Sequence, residues 1–121
     1  MILVTGDNTV GLALDSVVEA ANRGEIPVLT LITTTPNKGT LLDLGADFYE
    51  VGKLQGHLAA KLINGDDPAS VPIENVVPEV IVVNKRVLST LKDPRRLLKE
   101  IVENADAVID ENGKEVKNLK K

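Results

Sequence analysis

Asp7, Asn8 and Thr9 put a carboxylate, an amide and a hydroxyl at three consecutive positions between Gly6 and Gly11, directly after the apolar run at residues 1–5. A turn of this kind opens on several chemistries. Gly6 and Gly11 have the separation of a phosphate-binding G-x-x-x-x-G-K-[ST] loop. Leu12 and Ala13 stand where its lysine and hydroxyl belong, which argues against a nucleoside triphosphatase. The dinucleotide pattern G-x-G-x-x-G fails because Asn8 occupies the position of the second glycine. A phosphoreceiver needs several carboxylates around magnesium, and Asp7 alone follows the first apolar run. The lone His57 has no second ligand at metal-binding spacing. Ser16 and Ser89 lie in periodic segments with no adjacent base. No catalytic constellation emerges, so the chain reads as a non-enzyme, with no cofactor and no metal.

What the turn retains is polar recognition. Asp7 offers a carboxylate to an ammonium or to hydroxyls. Asn8 offers a donor and an acceptor, and Thr9 a hydroxyl beside the free N–H groups of a helix start. The same three residues equally suit an Asp/Asn turn that only caps a helix.

The elements around the turn follow from periodicity. Residues 1–5 read as a buried strand. Asn8 or Thr9 caps a helix with Val10, Leu14, Val17, Val18 and Ala21 on one face, and Gly24 closes it in the left-handed position. Residues 26–32 are a second strand. Pro36 starts a short helix to Leu44 that Gly45 ends. Residues 46–49 form a third strand and residues 51–63 a long helix with the stripe Val51, Leu54, Leu58 and Leu62. An extended connector over 69–79 leads to a fourth strand at 80–83 and a short helix at 85–91. Asp93-Pro94 then opens a last helix carrying Leu97, Leu98, Ile101, Val102 and Ala105. A short strand at 107–109, a turn at 111–114 and a loose end complete the chain. Strands alternating with helices predict parallel βαβ units. The fold class is α/β, a three-layer sandwich with an open, mainly parallel sheet of four to five strands and helices on both faces. One domain covers residues 1–121, with its core at about 1–92 and a terminal helix and tail at 93–121.

Composition agrees. Apolar residues make up 43% of the chain, nearly all branched aliphatics or alanine, as in the buried strands of parallel sheets. The net charge of −4 argues against a nucleic-acid partner. The chain has no cysteine, which excludes disulfides and Cys–zinc sites and suits an exported protein as well as a cytosolic one. No run approaches the ~18 apolar residues of a membrane span, and no signal peptide precedes the first strand.

Several stretches in order carry a resemblance: "GDNTV", "GADFYEVGKLQGHLAAKLINGDDP", "VVNK" and, more weakly, "NADAVID". In these the chain resembles the ABC-transporter substrate-binding proteins of periplasmic-binding type I fold, over residues 4 to about 91. It resembles in particular the subgroup associated with aromatic amino acids and uncharacterised solutes. The resemblance implies a two-lobed protein that closes on a small-molecule solute, with this chain as the C-terminal lobe and the N-terminal lobe missing. Carried over, Asp7, Asn8 and Thr9 match the turn facing the cleft, and Thr33 and Thr34 match the loop of small polar residues lining it. Phe48-Tyr49 matches an aromatic pair after the third strand, one ring buried and the other, Tyr49, near the cleft edge.

The function implied is solute capture, an amino acid for example, by the binding component of an ABC importer. Its partners are the opposite lobe and a membrane permease, and its location in the full-length parent is extracytoplasmic. A stand-alone sensory or oligomerising α/β module, two copies imitating two lobes, is the alternative. The strand ends at Thr5 and Ile32 are expected to open onto one shared groove, with Asp7 and Thr33 both reachable by solvent.

Overall fold

The computed structural model describes residues 1–33, 38–73, 77–93 and 96–117. The chain divides into two units, residues 1–45 with 80–121, and residues 46–79. The elements in chain order are β1 (Ile2–Val4), α1 (Asn8–Leu12), α2 (Leu14–Arg23), β2 (Val28–Thr30), β3 (Leu42–Ala46), α3 (Phe48–Ile63), β4 (Glu79–Asn84), α4 (Lys99–Asn104), β5 (Ala107–Ile109) and β6 (Glu115–Lys117). Short 3-10 segments occur at Pro68–Ser70 and Lys85–Thr90.

The fold class is α/β with an open sheet in the order β1-β2-β3-β4-β5-β6. The pairs β1/β2, β2/β3 and β4/β5 are parallel, and β5/β6 is antiparallel. Six strands replace the expected four to five. The additional one, β6, lies in what reads as a loose tail. It forms because Asp110 closes a hairpin: its carboxylate accepts the N–H groups of Asn112 (2.9 Å) and Lys114 (2.8 Å). Gly113 takes the left-handed turn position at φ 82°. Val116 then falls opposite Val108.

In the first unit, α2 buries Leu14, Val18 and Ala21 against Val4 and Val28, with Ile2, Val17 and Ile32 packed at the margin. Each fully buried aliphatic side chain here contributes roughly 1.5–3 kcal/mol. The expected helix at 8–23 is broken at Ala13, whose N–H is shared between the carbonyls of Val10 and Thr9. As a result Val10 is exposed instead of joining the stripe. A second apolar cluster, Val82, Ala107 and Ile109 with Val80 beside it, joins β4 to β5.

Residues 42–46 form a strand, not the end of a helix. β3 pairs Leu42 with Leu29 and Asp43 with Thr30. Gly45 sits within this strand: a Cβ there would lie 2.8 Å from the Leu31 carbonyl oxygen and 3.0 Å from Thr33 Cγ2. That close approach, and not helix termination, accounts for the glycine. Helix α2 ends in a Schellman arrangement, with Ile26 N–H on the Ala21 carbonyl (2.9 Å) and Glu25 N–H on the Asn22 carbonyl (3.1 Å). The left-handed residue in it is Glu25, at φ 53°, whereas Gly24 has φ −93°.

In the second unit α3 starts at Phe48, so Phe48 and Tyr49 are helical and not part of a strand. Asp47 is the cap, its carboxylate accepting the N–H groups of Tyr49 and Glu50, both at 3.1 Å. None of the helix's residues is buried, and both rings are exposed. The expectation of one buried ring is therefore not met.

The last helix is shorter than expected. α4 covers Lys99–Asn104, Leu98 precedes it uncapped, and Pro94 of the expected cap lies outside the described residues.

Candidate functional site

β1 ends at Val4 and β2 ends at Thr30, and these two residues are register partners in a parallel pair. Parallel pairing puts the segments that follow both strands at the same end of the sheet. In open α/β sheets that end is where ligands bind. The polar residues singled out in the sequence follow these two strands.

Asp7 is the N-cap of α1, in place of Asn8 or Thr9. Its Oδ1 accepts the N–H groups of Thr9 and Val10, each at 2.9 Å. The capping role and the exposed position coexist, because one carboxylate oxygen takes both bonds. Asn8 and Thr9 form the first turn of α1 and are exposed. Thr33 follows β2 and is partly buried, its side chain set against Gly45. Thr34 lies outside the described residues. A Cβ built at Gly11 would lie 3.7 Å from Ile32 Cδ1, which sets α1 beside the segment leaving β2. The Thr30 hydroxyl accepts the Ile32 N–H at 2.8 Å and turns that segment. Asp7 and Thr33 therefore both lie at the carboxyl ends of adjacent strands, and neither is packed in the core.

Tyr49 belongs to the second unit, on the first turn of α3, 75% exposed. Lys53 Nζ stands 5.5 Å from its ring centroid. Such a contact is worth about 0.5–1 kcal/mol at an exposed site.

Beneath the strand ends lies a polar group that sequence reasoning missed. Thr30, Thr40, Asp43 and Asn84 are buried, and the Thr40 hydroxyl donates to the Asp43 carboxylate. Asn84 Oδ1 accepts the Arg86 N–H at 3.2 Å. No buried side-chain polar atom among the described residues lacks a partner. The group is thus satisfied internally and braces the sheet instead of reaching for a ligand. The available signal was Asp43 itself, a carboxylate inside the run Leu41-Leu42-Asp43-Leu44.

Two cavities lie elsewhere in the first unit. One, of about 440 Å³, is lined mainly by aliphatic residues, among them Met1, Ile26, Leu29 and Leu97. The other, of about 470 Å³, is bounded by Asn22, Asn84, Arg86 and Thr90 among others. Neither is lined by Asp7, Asn8, Thr9 or Thr33. Among the described residues no cluster of His, Cys, Asp or Glu could hold a metal ion, and no helix is long and apolar enough to cross a membrane.

Comparison with known proteins adds two findings. A family model described as ABC transporter substrate binding protein matches residues 1–108. A crystal structure of a conserved domain protein from Vibrio cholerae O1 biovar eltor is similar, with 25% sequence identity and a TM-score of 0.68. That similarity covers 88% of this chain and 36% of that one, so the chain spans little more than a third of the solved protein it matches. No curated protein matches the chain.

Proposed function

Because the chain belongs to the family of ABC transporter substrate binding proteins, we propose that it is the C-terminal lobe of the solute-binding component of an ABC importer. The solute, a small molecule such as an amino acid, is held between this lobe and an opposite one by hinge closure, and no bond is made or broken. The parent protein works outside the cytoplasm, where this family normally acts, and hands its solute to a membrane permease.

One observation supports this reading above the others. Asp7, Asn8 and Thr9 stand exposed directly after β1, beside the segment that leaves the parallel neighbour β2. Asn8 supplies both a donor and an acceptor there, and Thr9 a hydroxyl. The Asp7 carboxylate suits an ammonium group. Thr33 would extend the same wall, and Thr34 and Tyr49 are proposed as solute contacts on the resemblance alone.

The test uses the full-length parent, purified without added ligand, with co-purifying small molecules identified by mass spectrometry. Asn8→Ala removes both hydrogen-bonding functions and leaves the Asp7 cap in place. It is expected to weaken binding of the identified solute by about ten-fold or more, the loss of one or two hydrogen bonds. A parent that carries no solute, or an Asn8→Ala variant with unchanged affinity, would overturn the reading.

A further inference from the structure

The sheet holds a second parallel pair with a carboxyl end of its own. Asn84 and Ile109 are the last residues of β4 and β5, and they are register partners. The Asn84 N–H donates to the Leu41 carbonyl (2.9 Å), so β4 ends beside the start of β3. β3 runs parallel to β2, and β2 to β1. The β4/β5 pair therefore ends at the other end of the sheet from Asp7 and Thr33. The cavity of about 470 Å³ lies there, with Asn84 and Ile109 in its wall. That volume is within the range of small-molecule sites.

The groups around this cavity are of one electrostatic kind. Arg86 brings a guanidinium and Asn22 an amide, and among the described residues no carboxylate lines the wall. Arg86 is fixed at its backbone. Its N–H donates to Asn84 Oδ1 (3.2 Å), and its carbonyl accepts from the Ser89 hydroxyl (2.9 Å). Its side chain runs past Gly113, where a Cβ would stand 3.3 Å from Nη1 and 3.8 Å from Cδ. The charge itself is unspent: among the described residues no carboxylate or carbonyl receives the guanidinium. The Thr90 hydroxyl already donates to the Val87 carbonyl (2.8 Å), so the guanidinium and the Asn22 amide supply the donors. Val87 and Ile109, both buried, form an aliphatic part of the wall.

We propose that this cavity binds a short aliphatic monocarboxylate. The planar fork of Arg86 takes the two carboxylate oxygens in parallel hydrogen bonds. The hydrocarbon chain of the ligand covers Val87 and Ile109. An amino acid of the same length is disfavoured, because its ammonium would leave water for a wall that holds a cation and no carboxylate. The selectivity is the inverse of that offered by the Asp7 turn, whose carboxylate suits an ammonium. Arg86 is exposed and the chain carries a net charge of −4, so the anion is held weakly, with a dissociation constant on the order of millimolar. Added salt weakens it further.

NMR titration of the 121-residue chain with valerate at neutral pH tests this. The amide shifts of Arg86, Val87 and Gly113 are expected to move and saturate. Norvaline, the same carbon chain with an ammonium added, and inorganic phosphate, an anion without hydrocarbon, are each expected to bind about ten-fold more weakly or worse. These arms need no substitution. Arg86→Gln is expected to weaken valerate binding by about ten-fold or more, with the amide shifts of β4 and β5 reporting that the sheet is intact. Arg23→Gln removes an arginine that pairs with Glu19 (2.7 Å) outside the cavity, and is expected to leave valerate binding unchanged. Absence of a saturable shift at the three amides, norvaline or phosphate binding as well as valerate, an Arg86→Gln variant that binds as before, or an equal loss in Arg23→Gln would overturn the proposal. Solute capture by the parent does not enter any of these measurements, so this proposal and the solute reading fail separately.

Discussion

At the scale of single residues, Glu25 is the position where local chemistry and backbone disagree most. It holds φ at 53°, in the region that glycine occupies without cost, while the neighbouring Gly24 sits at φ −93°. A side chain there costs roughly 1–2 kcal/mol. Glu25→Gly is expected to raise the unfolding free energy by about 1 kcal/mol, net of the added freedom of the unfolded chain, in urea denaturation. The sequence does announce a helix end at Arg23-Gly24. It gives no sign that the chain makes one more residue before turning, because that offset depends on Ile26 N–H reaching the Ala21 carbonyl. Asp7 shows the same limit. Asp7, Asn8 and Thr9 are all good caps, and which of them caps is set by where the backbone leaves β1.

At the scale of elements, long periodic stretches and uninterrupted apolar runs were legible, and strands interrupted by charged residues were not. The helix at 14–23, the part of α3 from residue 51 to 63, and the strands at 2–4, 28–30, 79–84 and 107–109 follow the apolar pattern closely. β3 did not, since Leu41-Leu42-Asp43-Leu44 has a helical look. Its strand state is fixed by non-local pairing of Leu42 with Leu29 and of Asp43 with Thr30. β6 escaped for a related reason. Glu115-Val116-Lys117 offers one apolar residue between two charged ones, so no strand pattern shows, and the strand forms because the Asp110 hairpin returns it to β5. Gly113→Val puts a β-branched residue at φ 82° and sets its Cβ 3.3 Å from Arg86 Nη1. The hairpin is expected to open, with lost amide protection at Val108 and Val116 in hydrogen exchange and a stability loss of about 1–3 kcal/mol.

At the scale of the whole molecule, family membership was legible because several separate stretches matched in the same order. The site was only partly so: Asp7, Asn8, Thr9 and Thr33 lie where two parallel strands end, while Thr34 is outside the described residues and Tyr49 belongs to the other unit. The chain spans 36% of the solved protein it resembles. Under the proposed reading its polar turn is one side of a two-sided cleft, and half of the contacts supply much less than half of the affinity. The isolated chain is therefore expected to bind amino acids weakly or not measurably in calorimetry. Submicromolar binding by the monomer would contradict the two-lobed reading.

The way α1 begins has a consequence for how such a cleft would operate. Asp7 is pinned by two backbone amides of its own helix through a single oxygen. Its rotamer is chosen as the protein folds, so its ordering is complete before any guest arrives. Immobilising a free side chain at the moment of contact costs roughly 0.5–1.5 kcal/mol. Under the proposed reading, a carboxylate already fastened in place would meet an incoming ammonium without that penalty, and from one fixed direction.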